Sequence, residues 1–189
     1  NSGNNYAVTL VTDSTGVITA KALTVSGITA QDKVYTADTD ATLNTGSAAL
    51  VGVIGSEDVT LNLDLAAGAF ASKNVGTAIA VTVSGLALEG TAKGNYTLTQ
   101  PATSATITAR PITVTAKTET KTYDGGVTSG VAPEVTSGAW QPGDSAVLTQ
   151  TFDTKDVGTN KTLTPAAAIT DGNSGNNYAV TLVTDSTGV

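Results

Sequence analysis

Apolar and polar residues alternate through most of this chain. Residues 6–12, 59–63, 79–83, 96–99, 105–108, 112–115 and 178–182 all read this way. A period of two places one side of an extended segment in a core and the other in water. Each stretch therefore predicts a β-strand with one covered face, as in antiparallel sheets. Turn signals fall between them: Gly55-Ser56, Ser84-Gly85, Asp124-Gly125, Pro142-Gly143-Asp144 and Asp171-Gly172. Short strands at this spacing predict β-sandwiches. A single helical turn is conceivable over residues 65–71, where Gly68 cuts it short. The inward positions expected from the alternation are Val59, Leu61, Leu63, Ile79, Val81, Val83, Leu98 and Ile107, then Val147, Phe152, Val157, Tyr178, Val180 and Leu182.

The pattern repeats at two scales. Residues 1–17 and 173–189 are identical, an offset of 172. Identity of that length marks the chain as a window on a tandem array. The period divides again. Residues 18–25 match 107–114, Lys33-Val34-Tyr35 matches Lys121-Thr122-Tyr123, and residues 70–77 match 152–159. The expected organisation is residues 1–20 as closing strands of a preceding repeat, then one repeat over 21–109 and a second over 110–189. Each is the size of one small sandwich. Arg110-Pro111 sits at the joint, where Pro fixes φ and no Gly/Ser linker intervenes. Residues 1–17, lacking the repeat they would close, are expected to fold back on the first repeat or to borrow a neighbouring molecule's edge.

Composition narrows the chemistry. Net charge is −7, with only 9 Lys and Arg, which argues against nucleic acid or an anionic membrane as partner. There is no Cys and no His. Disulfides, thiol nucleophiles and the commonest general base are therefore missing. The aromatic girdles of a membrane barrel are missing too. No nucleophile–base spacing and no Gly-rich phosphate loop appears, so the expectation is no enzyme, no cofactor and no metal. Asp38, Asp40 and Asp124 lack a complete calcium loop and read as solvated acids. Lys33, Lys121, Lys73 and Lys155 would serve an isopeptide bond only beside a buried Asn and acid, and read instead as stems packed with heads in water. Asn95-Tyr96-Thr97 and Asn160-Lys161-Thr162 are glycosylation sequons of the sort that arise by accident in a Thr-rich chain. The alternating Thr113, Thr115, Thr118, Thr120 and Thr122 read as an ordinary strand face. Trp140, the sole Trp, reads as a cap on a sandwich end.

Several anchors occur in one order: Tyr123-Asp124-Gly125, then Phe152, Lys155-Asp156-Val157-Gly158 and Asn177-Tyr178. This order resembles the YDG domain, a repeat found with the related MBG domain in large bacterial surface adhesins and filamentous-haemagglutinin-like proteins. The first repeat keeps Lys73-Asn74-Val75-Gly76 and Asn95-Tyr96 but carries Tyr35-Thr36-Ala37 in place of Tyr-Asp-Gly. The Asp-Gly pair is read as a turn, and each Asn-Tyr pair as a turn leading into a strand whose Tyr packs inward. The resemblance implies an all-β fold of two tandem Ig-like β-sandwich repeats arranged end to end. It further implies an extracellular place on a bacterial surface and a stalk role holding a distal binding domain away from the cell. The expected partners are neighbouring identical repeats of the same chain, with no nucleic acid, no membrane insertion and any surface ligand unknown. A second expectation is a glycan- or protein-binding module whose loops around Trp140 make the contact.

Overall fold

A computed structural model of the chain describes residues 5–188 and is all-β. Its regular elements are strands, apart from one turn of 3-10 helix at Lys93–Asn95. The first copy begins with β1 (Lys21–Ser26), β2 (Thr29–Ala30), β3 (Lys33–Val34), β4 (Asp40–Ala41), β5 (Leu43–Asn44) and β6 (Ala49–Val51). It continues with β7 (Thr60–Asn62), β8 (Ala67–Phe70), β9 (Gly76–Ser84), β10 (Ala87–Glu89), β11 (Tyr96–Leu98) and β12 (Ala102–Thr108). The second copy holds β13 (Arg110–Thr115), β14 (Glu134–Ser137), β15 (Ser145–Phe152), β16 (Lys161–Thr170), β17 (Tyr178–Val183) and β18 (Asp185–Gly188).

Two sheets carry each copy. In the first they run β3-β12-β9-β8-β4 and β11-β1-β6, with β10-β7 and β2-β5 as small ribbons. In the second they run β15-β16-β18 and β14-β13-β17. The pairing repeats residue by residue. Lys21 lies opposite Tyr96 in a parallel ladder, and Arg110 lies opposite Tyr178 in another. Phe70 faces Val81 across one hairpin, and Phe152 faces Leu163 across the other. Thr103 faces Val81, and Asp185 faces Leu163. The parallel pairs β1–β11 and β13–β17 differ from the antiparallel pairing expected of alternating strands. Alternation reports that one face is covered and carries no information on a neighbour's direction. Between Tyr123 and Phe152 the second copy is six residues shorter than the first is between Tyr35 and Phe70; β14 takes the place of β6, and a single bridge from Thr128 to Thr151 takes that of the β4–β8 pair.

Burial follows the alternation in β9, where Val81 and Val83 are inward, and in β12, where Ala105 and Ile107 are. Leu61, Leu63 and Leu98 pack in part against Val83 and Leu86. Three expected core positions point the other way. Val147 is 68% exposed, Val157 88% and Leu182 47%. Gln150 and Phe152 are inward on β15, which sends Val147 outward by strand parity. Val157 sits in the loop between β15 and β16, and Leu182 sits near the outer end of β17. The largest core cluster is not confined to one copy. It joins Tyr35, Phe70, Val81, Ala105 and Ile107 to Ile112, Val114 and Tyr178. Ala109 alone separates β12 from β13.

Residues 5–20 form no strand, and Tyr6, Val8, Leu10, Val11, Val17 and Ile18 are exposed. The expected fold-back onto the first copy is therefore absent over these residues, and residues 1–4 lie outside those described.

Candidate functional site

The structure gathers one group of motif residues where the two copies meet. β3 ends at Val34 and delivers Tyr35, which is fully buried. Its ring meets Tyr178 edge to face at 5.6 Å, and Trp140 also meets Tyr178 edge to face, at 4.8 Å. Edge-to-face geometry sets the positive rim of one ring on the negative face of the next. The Tyr35 and Tyr178 hydroxyls both donate to Asp144 Oδ2, at 3.0 and 2.7 Å. The Tyr178 oxygen also accepts from Gln141 N at 2.8 Å. Burial first, then the Asp144 carboxylate, pushes both phenols up to about 12. A phenol that stays protonated keeps its donor to Asp144 throughout the neutral range.

A polar clasp lies beside the rings. Asn177 is fully buried. Its Oδ1 accepts from Val75 N of the first copy at 3.0 Å, and its Nδ2 donates to Asn74 Oδ1 at 3.2 Å. Asp171 positions Asn177 by accepting from the Asn173, Gly175 and Asn177 amides at 2.8 to 3.0 Å. Burial alone pushes the Asp171 carboxyl up, but these backbone donors outweigh it and hold it below the usual range. Arg110 closes the joint, donating to Tyr35 O at 3.4 Å and to Ala139 O at 3.3 Å. Lys73 and Gly76 belong to the same loop as Asn74 and are half-buried.

Each copy holds one lysine in the same way, Lys33 beside the joint and Lys121 at the far end of the second copy. Lys33 Nζ donates to the Asp38 and Asp40 carbonyls at 3.1 and 2.8 Å, pairs with Asp38 Oδ1 at 2.7 Å, and lies 5.2 Å over the Phe70 ring. Lys121 Nζ donates to the Gly126 and Thr128 carbonyls at 3.1 and 2.8 Å, pairs with Asp124 Oδ1 at 2.9 Å, and lies 5.9 Å over Phe152. These heads are capped by protein oxygens rather than standing in water, which corrects the reading of a solvated head. The first copy, which lacks the Tyr-Asp-Gly acid, supplies Asp38 two places later for the same job. The turn keeps its left-handed residue in both: Ala37 at φ 64° and Gly125 at φ 80°. A residue with a Cβ is strained there, and Gly is not.

The remaining motif residues lie at the two outer ends. Tyr123, Asp124, Gly125, Lys155, Asp156, Val157 and Gly158 are at the far end of the second copy, where a cleft of about 330 Å³ opens among Lys121, Tyr123, Phe152 and Val157. Tyr123 is 60% exposed where its counterpart Tyr35 is covered. Asn95 and Tyr96 are at the opposite end. The Tyr96 hydroxyl donates to Glu57 Oε2 at 2.5 Å and accepts from Ile54 N at 3.1 Å. The sequence reading places Arg110 at the joint and Asp144 and Asp171 in turns, but gives none of them, nor Gln141, a part in this site. The usable signal is a shared offset: Ile54 and Glu57 precede Gln141 and Asp144 by 87 residues each.

Among the described residues no three His, Cys, Asp or Glu side chains cluster as a metal would need, and no helix is long and apolar enough to cross a membrane. The family described as the YDG domain matches the chain twice, over residues 19–105 and 108–187. No curated protein and no solved structure matches it.

Proposed function

Since the chain belongs to the YDG domain family, which matches both of its halves, we propose that it acts as a spacer in a bacterial surface adhesin. Its repeats add length between the cell and a distal binding domain. The observation that carries this reading is the joint. One hydrophobic cluster runs from Phe70 and Tyr35 of the first copy into Ile112 and Tyr178 of the second. Ala109 is the one residue of slack between β12 and β13. A spacer must resist bending, and a joint with a shared core resists it better than a Gly/Ser tether. Trp140 is turned onto Tyr178 in this joint, so that ring face serves the chain itself. The secreted, cell-surface setting rests on the family resemblance of the repeat motifs.

Small-angle scattering tests the reading. The chain and a version extended by a second 172-residue unit are compared. Strands rise about 3.3 Å per residue, so each repeat is expected to add roughly 30–50 Å. A constant increment per unit supports the spacer. A globular profile, or an added unit that folds back beside the first, refutes it.

A further inference from the structure

The two outer ends of the chain are the two unmatched halves of the joint in its middle. At the joint, the first copy offers Tyr35, the Asn74–Val75 backbone and a Lys-capped turn. The second offers Tyr178, Asp144, the Gln141 amide and Asn177. Each group has a counterpart at an end. At the far end of the second copy stand Tyr123 for Tyr35, Asp156 for Asn74, Val157 for Val75 and Lys121 for Lys33. At the opposite end of the first copy stand Tyr96 for Tyr178, Glu57 for Asp144, Ile54 N for Gln141 N and Asn95 for Asn177. Tyr96, Glu57 and Ile54 already hold the hydrogen bonds that Tyr178, Asp144 and Gln141 hold. Glu57 lacks its second phenol, and Tyr123 lacks its acid. Val157 is 88% exposed where Val75 is half-buried against the shared cluster.

We propose that the cleft at the far end of the second copy is a docking site for a further copy of the first. Its occupant is the face that bears Ile54, Glu57, Asn95 and Tyr96. This rests on the spacer reading and specifies the surface that reading requires. In the docked pair the Tyr123 hydroxyl donates to the exposed Glu57 carboxylate, beside Tyr96, whose ring is already covered within the first copy. Asn95 Oδ1 accepts from the Val157 amide, and Asn95 Nδ2 donates to Asp156. That last contact improves on its counterpart. Asn177 to Asn74 is amide to amide, whereas Asn95 to Asp156 is amide to carboxylate, a charge-assisted bond. Lys21 replaces Arg110 and reaches the Tyr123 carbonyl with its ammonium. The contact is heterologous, so when the units follow one another in a single chain each end meets the opposite end of the next unit.

Hydrogen exchange tests this on the chain extended by a second unit, residues 18–189 placed directly after Val189. The probe is the peptide spanning residues 154–159 of the first unit. Docking is expected to slow its Val157 amide roughly tenfold against the 189-residue chain, as one net hydrogen bond does. Asn95→Ala in the second unit is expected to restore fast exchange while the Val75 amides stay slow in both units. Asn95 is exposed in the free chain, so this variant keeps its fold. Equal exchange of residues 154–159 in the two chains overturns the docking site. Scattering on the same samples separates the two ideas. A constant increment with unprotected Val157 leaves a spacer without this interface, and a folded-back profile with unprotected Val157 removes both.

Discussion

Replacing Tyr35 by Phe deletes one oxygen from the centre of the joint and leaves its ring in place. Two consequences follow from the geometry. First, Asp144 loses one of its two phenol donors and keeps the other, from Tyr178 at 2.7 Å. Hydrogen bonds to a charged acceptor are each worth about 1.5–3 kcal/mol net. Asp144 is half-buried and retains Tyr178, so the lower figure applies, and Tyr35→Phe is expected to cost about 1.5 kcal/mol near neutral pH. Second, the variant changes the pH dependence. Tyr35 is held at about 12 in the folded chain against an ordinary 10. Its contribution is complete below pH 10 and is lost as pH rises from 10 to 12, because the unfolded chain sheds the proton first. A two-unit shift corresponds to at most about 2.7 kcal/mol. Tyr178 shares the same carboxylate, so the two do not simply add.

Trp140 is the sole Trp and packs on Tyr178, so its fluorescence during urea unfolding reports on the joint itself. Lysines also titrate above pH 10, which makes the difference between wild type and variant the quantity to follow. That difference should stand near 1.5 kcal/mol at pH 8 and narrow across pH 10–12. A constant difference over the whole range, or no loss at pH 8, refutes the shared-carboxylate account.

Gly125→Ala is expected to cost about 1–2 kcal/mol by denaturant unfolding, because φ is 80° and no atom lies within 4 Å of the new Cβ, so strain alone acts. Lys121→Met keeps an apolar stem and removes the head from the Gly126 and Thr128 carbonyls and from over the Phe152 ring, for a loss of about 2 kcal/mol visible as a lower thermal midpoint. Deleting residues 1–17 is expected to leave unfolding unchanged within about 0.5 kcal/mol, since among the described residues the hydrogen bonds of 5–17 run between Asp13 and Thr15 alone. The same deletion should lower self-association in sedimentation, because it removes an exposed run of alternating apolar residues.

Much of the fold was legible because alternation is a direct imprint of a half-covered sheet. It placed Val81, Val83 and Ile107 inward correctly. It failed at Val147, which was placed inward together with Phe152 although the two have opposite parity on one strand; Ala146 and Leu148 are the less exposed neighbours there. The site was half legible. Tyr35, Asn74, Val75, Asn177 and Tyr178 were all singled out by the repeat, but as separate turn and strand features. Nothing local in the sequence says that residue 35 touches residue 178. That contact depends on β3 ending and β17 beginning at the same joint, and Asp144, which links them, shows in the sequence only as the last residue of the Pro142-Gly143-Asp144 turn.

The two identical stretches give the cleanest separation of local from tertiary causes. Residues 178–183 form β17, and residues 6–11 have the same sequence but no strand. Propensity is equal in both, so the partner decides. β17 lies in a parallel ladder along β13 from Arg110 to Thr115, and Tyr178 is buried under Tyr35 and Trp140. Tyr6 is 84% exposed and Leu10 88%, with no such ladder beside them. A ladder and burying neighbours are therefore what turn this sequence into a strand: β13 and Trp140 come from its own repeat, and Tyr35 from the copy before it. The second repeat is completed by residues at its own C-terminal edge, and through Tyr178 and Asp144 it covers Tyr35 of the first.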